Sequence, residues 1–271
     1  MMNAQALTLG PLLLPLPLLL SLGTAMLTLV LAKALGRRAG VDAEAVAWQA
    51  LLVAAVVARL AFVFEYKTLY FSAPLSIVDI RDGGWNAPAG LAGTWLYALS
   101  RMRKTPALVK PLRWSLAAGT LLFVSGTAVL ALQGPRGQPL PDLQFSNLQG
   151  EPVALRSFVG QPTVINLWAT WCPPCVREMP VFQQAQAQHP GVHFVFLNQG
   201  EDSARVARWL HAQQLDLHHV LIDPKRQASA SFQQQGYPTT LFFNARGELV
   251  SMRIGELSAA TLGERLQALA P

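Results

Sequence analysis

The first 132 residues contain four apolar stretches, and the first of them, LTLGPLLLPLPLLLSLGTAMLTLVLA at 7–32, is long enough to cross a bilayer. A secretory signal peptide is the rival reading. No Lys or Arg precedes the run and it is too long for an h-region, so a membrane span is expected. Pro11, Pro15 and Pro17 should loosen or kink its outer turns. Further spans are expected over about 45–64, about 87–102 and about 114–132. The predicted fold class is two domains: a four-helix transmembrane domain over 1–132 and, after a linker at 133–141, an α/β domain over 142–271.

Charge follows the same division. Residues 1–132 carry 11 Lys/Arg against 5 Asp/Glu, whereas 133–271 carry 10 of each. The formal charge of +6 therefore belongs to the apolar half, where basic loops between spans explain it better than nucleic-acid binding. Lys33, Arg37 and Arg38 follow the first span, and Arg101, Arg103, Lys104, Lys110 and Arg113 separate the third from the fourth. The loop between the second and third has only Lys67 and Arg81, alongside Glu65, Asp79 and Asp82. Basic loops stay in the cytoplasm. The N-terminus and everything beyond Leu132 are then expected outside, with the chain multi-pass in the inner membrane and its second half in the periplasm or its equivalent.

That second half holds the only two cysteines, in INLWATWCPPCVREMP at 165–180. A disulfide across so short a loop is a poor staple. Tetrahedral zinc would need two further ligands, and His189, His193, His211, His218 and His219 form no second pair at ligand spacing. No metal and no cofactor beyond a redox-active Cys172–Cys175 disulfide is expected. Around the pair, hairpin-like, strand-like and helix-like segments alternate. TVINLWA and VHFVFLN read as buried strands, DSARVARWLHAQQ as a helix, and TTLFFN with ELVSMRI as an antiparallel pair turning at Arg246-Gly247. Such alternation describes an α/β sandwich.

Cys172 is placed at the start of a helix, where the macrodipole and free N–H groups favour the thiolate; Cys175, one turn on, would resolve a mixed disulfide. Pro173 and Pro174 withhold two possible N–H donors from the Cys172 sulfur. Trp168 reads as a core residue and Trp171 as a rim residue. Glu178 shares a helix face with Cys175, and its alternative reading is a surface residue paired with Arg177.

Two resemblances can be named on these residues. INLWATWCPPCVREMP and GYPTTLFFNARGELV resemble the TlpA/ResA group of extracytoplasmic, thioredoxin-like thiol–disulfide oxidoreductases over about 139–271. The resemblance implies that Cys172, Cys175, Glu178 and Pro238 are catalytic, with Pro238 in the cis form and Glu178 buried. Trp171, Pro173, Pro174, Tyr237 and Thr239 would meet substrate. It also implies disulfide-containing periplasmic proteins as partners, a membrane electron donor of the DsbD/CcdA type, and a place in cytochrome c maturation among the candidate roles. Asn166 stands where ordinary thioredoxins hold a buried Asp.

ARLAFVFEYKTLYFSAPLSIVDIRDGGWNAPAGLAGTWLYALSRMRK at 58–104 resembles two spans of bacterial prolipoprotein diacylglyceryl transferase. Pro88 stands where that family has its essential histidine, so the resemblance implies an anchor rather than a lipid transferase. Membrane lipid remains a partner, with Arg59 a candidate for a phosphate or for a pair with Glu65. Reduction of disulfides is the leading function. The alternatives are a disulfide-forming oxidase and a lipid-binding or scaffolding protein whose thioredoxin domain only docks partners.

Overall fold

A computed structural model describes residues 2–3, 6–9, 12–71, 74–133, 137–234 and 236–269. They form two compact units, 1–77 with 84–133 and 78–83 with 134–271.

In the first unit, short antiparallel strands β1 (Met2–Asn3), β2 (Ala6–Leu9) and β3 (Leu12–Pro15) precede the helices. These are α1 (Leu16–Ala39), α2 (Ala43–Glu65), α3 (Lys67–Phe71), α4 (Ala87–Lys104) and α5 (Val109–Gln133). The first helix therefore begins nine residues later than its apolar run. Pro17 sits in its first turn, where a missing N–H costs no bond, and Pro15 is the cap before it. Pro11 lies outside the described residues. Gly40, at φ 67°, ends the helix in the left-handed conformation.

Helix α1 packs along α5 and α2 along α4 on small residues. A Cβ on Gly119 would fall against the Thr28 hydroxyl, and one on Gly90 would stand 3.0 Å from the Ala58 methyl. Such close approach replaces hydrophobic drive where the surroundings are themselves apolar. The outer faces carry Leu22, Met26, Leu52, Phe64 and Leu121, all exposed. Three helical segments, Leu16–Ala39, Ala43–Glu65 and Pro106–Gln133, are long and apolar enough to cross a membrane. The expected third span is a helix, α4, but falls short of that apolarity. Arg101, Arg103 and Lys104 crowd its last turn.

Arg59 is buried, and its Nε and two terminal nitrogens donate to the carbonyls of Ile77, Gly84 and Ser76 at 2.9, 2.8 and 2.9 Å. Its guanidinium lies 5.1 Å from the Tyr70 ring centroid. It thus ties α2 to the connection leading to α4. Glu65, the other partner considered for it, accepts a bond from Asn86 at 3.2 Å.

The second unit is a seven-stranded sheet flanked by helices. Its strands are β4 (Gln144–Asn147), β5 (Pro152–Ala154), β6 (Thr163–Trp168), β7 (His193–Gln199), β8 (Val220–Asp223), β9 (Thr239–Phe243) and β10 (Leu249–Ile254). Its helices are α6 (Pro173–Gln188), α7 (Ser203–Ala212), α8 (Gln227–Ser231) and α9 (Ala259–Gln267). The strand order is β10-β9-β6-β7-β8-β4-β5, with β6, β7 and β8 mutually parallel and the other pairings antiparallel. All six residues of β6 are buried, as a strand covered on both faces requires.

The two-residue period sends Val164 and Trp168 toward α6, into a core with Met179, Phe182, Phe196 and Phe242. Ile165 and Leu167 face the opposite core with Leu197, Leu221 and Phe243. Asn166 falls on the α6 side, with Val164 and Trp168. Of the expected linker, residues 134–136 lie outside the described residues. Residues 137–140 are not a free tether. Gly137 and Leu140 donate to the carbonyls of Leu249 and Gly247 at 2.8 and 2.7 Å, and Leu140 joins the core.

Candidate active site

Strand β6 ends at Trp168, and after a three-residue turn, 169–171, the chain enters α6 through its N-cap. The Cys172 N–H donates to the Ala169 carbonyl at 3.3 Å, closing that turn, and Cys172 becomes the N-cap of the helix. The cap position explains the motif chemically. A helix start carries N–H groups with no partner inside the helix, and Cys172 Sγ receives one of them, from Cys175, at 3.3 Å. Pro173 and Pro174 fill the two positions between and have no N–H to give. Cys172 and Cys175 are joined by a disulfide with their Cα atoms 5.3 Å apart, and both are buried. Pro173 is exposed and Pro174 half-buried.

Glu178 lies one turn beyond Cys175 and is fully buried, 0% exposed. Its Oε1 accepts from Asn166 Nδ2 at 2.8 Å and its Oε2 from the Leu257 N–H at 3.1 Å. Burial pushes its carboxyl up to about 8, against the pull of those two hydrogen bonds. Asn166 Nδ2 also reaches Thr240 Oγ1 at 3.1 Å, so the amide links β6, β9 and α6. Arg177, the surface partner considered for Glu178, pairs with Glu256 at 2.5 Å.

Just before β9, the neighbour of β6, the Tyr237–Pro238 peptide is cis and Pro238 is buried. The Tyr237 ring meets the Trp171 ring edge-on, with centroids 6.0 Å apart, so the cysteine turn and the proline loop are brought together. Trp171 is 53% exposed and forms a wall open to solvent. Tyr237 is half-buried, and its hydroxyl lies 3.1 Å from Ser229 Oγ. Thr239 differs from a substrate-facing residue. It is fully buried and its hydroxyl donates to the Gly236 carbonyl at 2.8 Å, bracing the loop from within. Trp168 packs in the core against Trp209. Among the described residues no group of three His, Cys, Asp or Glu side chains could hold a metal.

Sequence reasoning missed the polar groups behind the cysteine turn. Glu201, just beyond β7, is buried and accepts four hydrogen-bond or ion-pair contacts, two of them from Thr170. Thr170 is visible in the WATWC motif, but only the pairing of Trp168 with Asn198 on adjacent parallel strands brings Glu201 to it. Thr240 and the Leu257 N–H, which complete the surroundings of Asn166 and Glu178, likewise carry no local signature.

Known proteins match this half of the chain. The model of the AhpC/TSA family matches residues 136–252. The "thioredoxin-like protein YneN" of Bacillus subtilis is 27% identical over 136 residues, covering 48% of this chain and 78% of that protein. The "thiol-disulfide oxidoreductase ResA" of Halalkalibacterium halodurans is 27% identical over 137 residues, 50% of this chain and 77% of its own. The "sporulation thiol-disulfide oxidoreductase A" of Bacillus subtilis is 28% identical over 141 residues, 49% and 84% respectively.

Proposed function

We propose that this chain, whose C-terminal half is a thioredoxin-like thiol–disulfide oxidoreductase of the ResA kind, is anchored in the cytoplasmic membrane and reduces disulfides of proteins outside the cytoplasm. The observation that carries the reading is the pairing of two groups on one helix. Cys172 Sγ caps α6, where an N–H already points at it, and the carboxyl of Glu178 is buried one turn beyond Cys175.

In the reduced enzyme the Cys172 thiolate attacks one sulfur of a substrate disulfide. That S–S bond breaks, one substrate thiolate leaves, and a mixed disulfide joins Cys172 to the other half. Cys175 then loses its proton to the Glu178 carboxylate, directly or through water, and attacks Cys172 Sγ. The second substrate thiol departs and the Cys172–Cys175 bond remains, two electrons having passed to substrate. A membrane electron donor of the DsbD/CcdA type returns the pair to the dithiol. Trp171, Pro173, Pro174 and Tyr237 line the approach, and the backbone beside Pro238 offers pairing groups to an extended substrate segment.

The anchor is the helical unit, with four crossings. Three helices have the length and apolarity for it. The fourth crossing is α4, whose 18 residues span about 27 Å against a hydrocarbon core of about 30 Å. Its charged last turn would sit at the cytoplasmic surface. With the basic loops inside, the domain after Leu132 lies in the periplasm or its equivalent, 142–271 being the redox domain.

The test is a trap. In a Cys175→Ser chain the mixed disulfide cannot be resolved, so proteins from outside the cytoplasm should accumulate covalently on Cys172 and be released by dithiothreitol. Equal accumulation in Cys172→Ser chains would show that the other sulfur attacks.

A further inference from the structure

Glu201 takes no part in the chemistry above, yet its carboxylate is as fully engaged as any group near the site. Its side chain is 4% exposed. Oε2 accepts from the Thr170 N–H at 2.7 Å and from Asn198 Nδ2 at 2.8 Å. Oε1 accepts from the Thr170 hydroxyl at 2.6 Å and pairs with Arg205 Nε at 2.8 Å. Gly200, at φ 82°, reverses the chain after β7, and its N–H is held by the Asp223 carbonyl at 2.9 Å. That turn aims the Glu201 side chain back toward the end of β6. Two of the four contacts therefore hold one residue, Thr170, which lies two positions before the attacking sulfur and next to exposed Trp171.

We propose that Glu201 is a positioning residue for Cys172: it clamps the turn 169–171 so that the sulfur stays at the helix cap and the Trp171 ring stays against Tyr237. The inference rests on Cys172 being the attacking sulfur. Two consequences separate the clamp from a contribution to folding alone. Trp171 and Cys172 leave the turn together, so loosening it lowers productive encounter with a polypeptide disulfide more than reaction with a small reagent. The Glu201 carboxylate, ion-paired with Arg205, also sets an acidic group behind the turn, as Glu178 sets one beyond Cys175, and negative charge near Cys172 opposes formation of its thiolate.

The experiment uses the full chain in detergent, reduced beforehand, with two variants and two probes. The first probe is the pH dependence of Cys172 alkylation by iodoacetamide. The second is reduction of a test peptide holding one disulfide. Glu201→Gln removes the charge and should move the alkylation midpoint to lower pH by about 0.5–1 unit. Thr170→Val keeps the charge and removes one bond. It should move the midpoint less than Glu201→Gln does and lower the rate with the peptide about three- to tenfold, with iodoacetamide reactivity above the midpoint nearly unchanged. If Glu201→Gln does not fold, the Thr170→Val result decides alone. Lowered melting temperatures with a wild-type midpoint and wild-type peptide rates would overturn the proposal and leave Glu201 a merely structural residue. Alkylation falling on Cys175 rather than Cys172 in the wild type would instead overturn the reading of the site on which it rests.

Discussion

At Glu178, burial and acid–base chemistry are one fact. A carboxyl with no solvent contact is held at about 8, so at neutral pH most of it carries a proton and the base form grows through that value. Disulfide exchange in the wild type should therefore rise through about pH 8. Glu178→Gln keeps the size and, like the protonated carboxyl, has one carbonyl oxygen to accept from Asn166 or the Leu257 N–H, but it cannot take up or release a proton. It should be slower by at least about tenfold at pH 8 to 9 and lose that rise, as stopped-flow exchange would show. Stability gives an independent check. The folded value is raised above the ordinary 4.5, so the proton-bound form stabilises fully below that pH and its contribution fades as pH rises toward 8. The Gln variant should melt near the wild-type temperature at pH 5 and higher than wild type at pH 9. Equal melting at both would mean that Glu178 meets water. The helix spacing in the sequence put Glu178 on the same face as Cys175. It did not reveal the ceiling over it, because Asn166, Thr240 and Leu257 come from two strands and a connection far apart in the chain.

Elements differ in how openly the sequence declares them. Strands β6, β7, β9 and β10 and helix α7 follow from short buried runs and regular spacing, and each formed within two residues of its expected bounds. The first helix was less legible. Leucine-rich composition marks an apolar run, but the prolines at 15 and 17 decide where the backbone can start a helix, and it starts at Leu16. The segment 137–140 misled for a different reason. Its Pro and Gly content reads as a tether, while its pairing with β10 depends on residues more than 100 positions away. Charge at helix ends carries the prediction at this scale. Arg37 and Arg38 lie in the last turn of α1, and Arg101, Arg103 and Lys104 in the last turn of α4. Reporter fusions near Arg38 and Lys104 should read as cytoplasmic, and fusions just beyond Leu132 as external. A cytoplasmic reading after Leu132 would overturn the localisation.

Across the whole molecule, an apolar unit carrying the positive charge is joined to a near-neutral redox unit, and the direction of electron flow is what gives that fusion a purpose. The direction follows from donors at one sulfur. Pro173 and Pro174 leave Cys175 as the first amide of α6 able to reach Cys172 Sγ, so the thiolate is stabilised less than at a helix start with a full set of N–H groups. A less stabilised reduced form means a lower potential, about 30 mV for each 1.4 kcal/mol or so. The reduction potential of the Cys172–Cys175 couple, measured by equilibration of the full chain with dithiothreitol or glutathione buffers, therefore tests the reductase reading most directly. The value should lie near that of thioredoxin, about −270 mV. A value near that of DsbA, about −120 mV, would contradict it and make the chain a disulfide-forming oxidase.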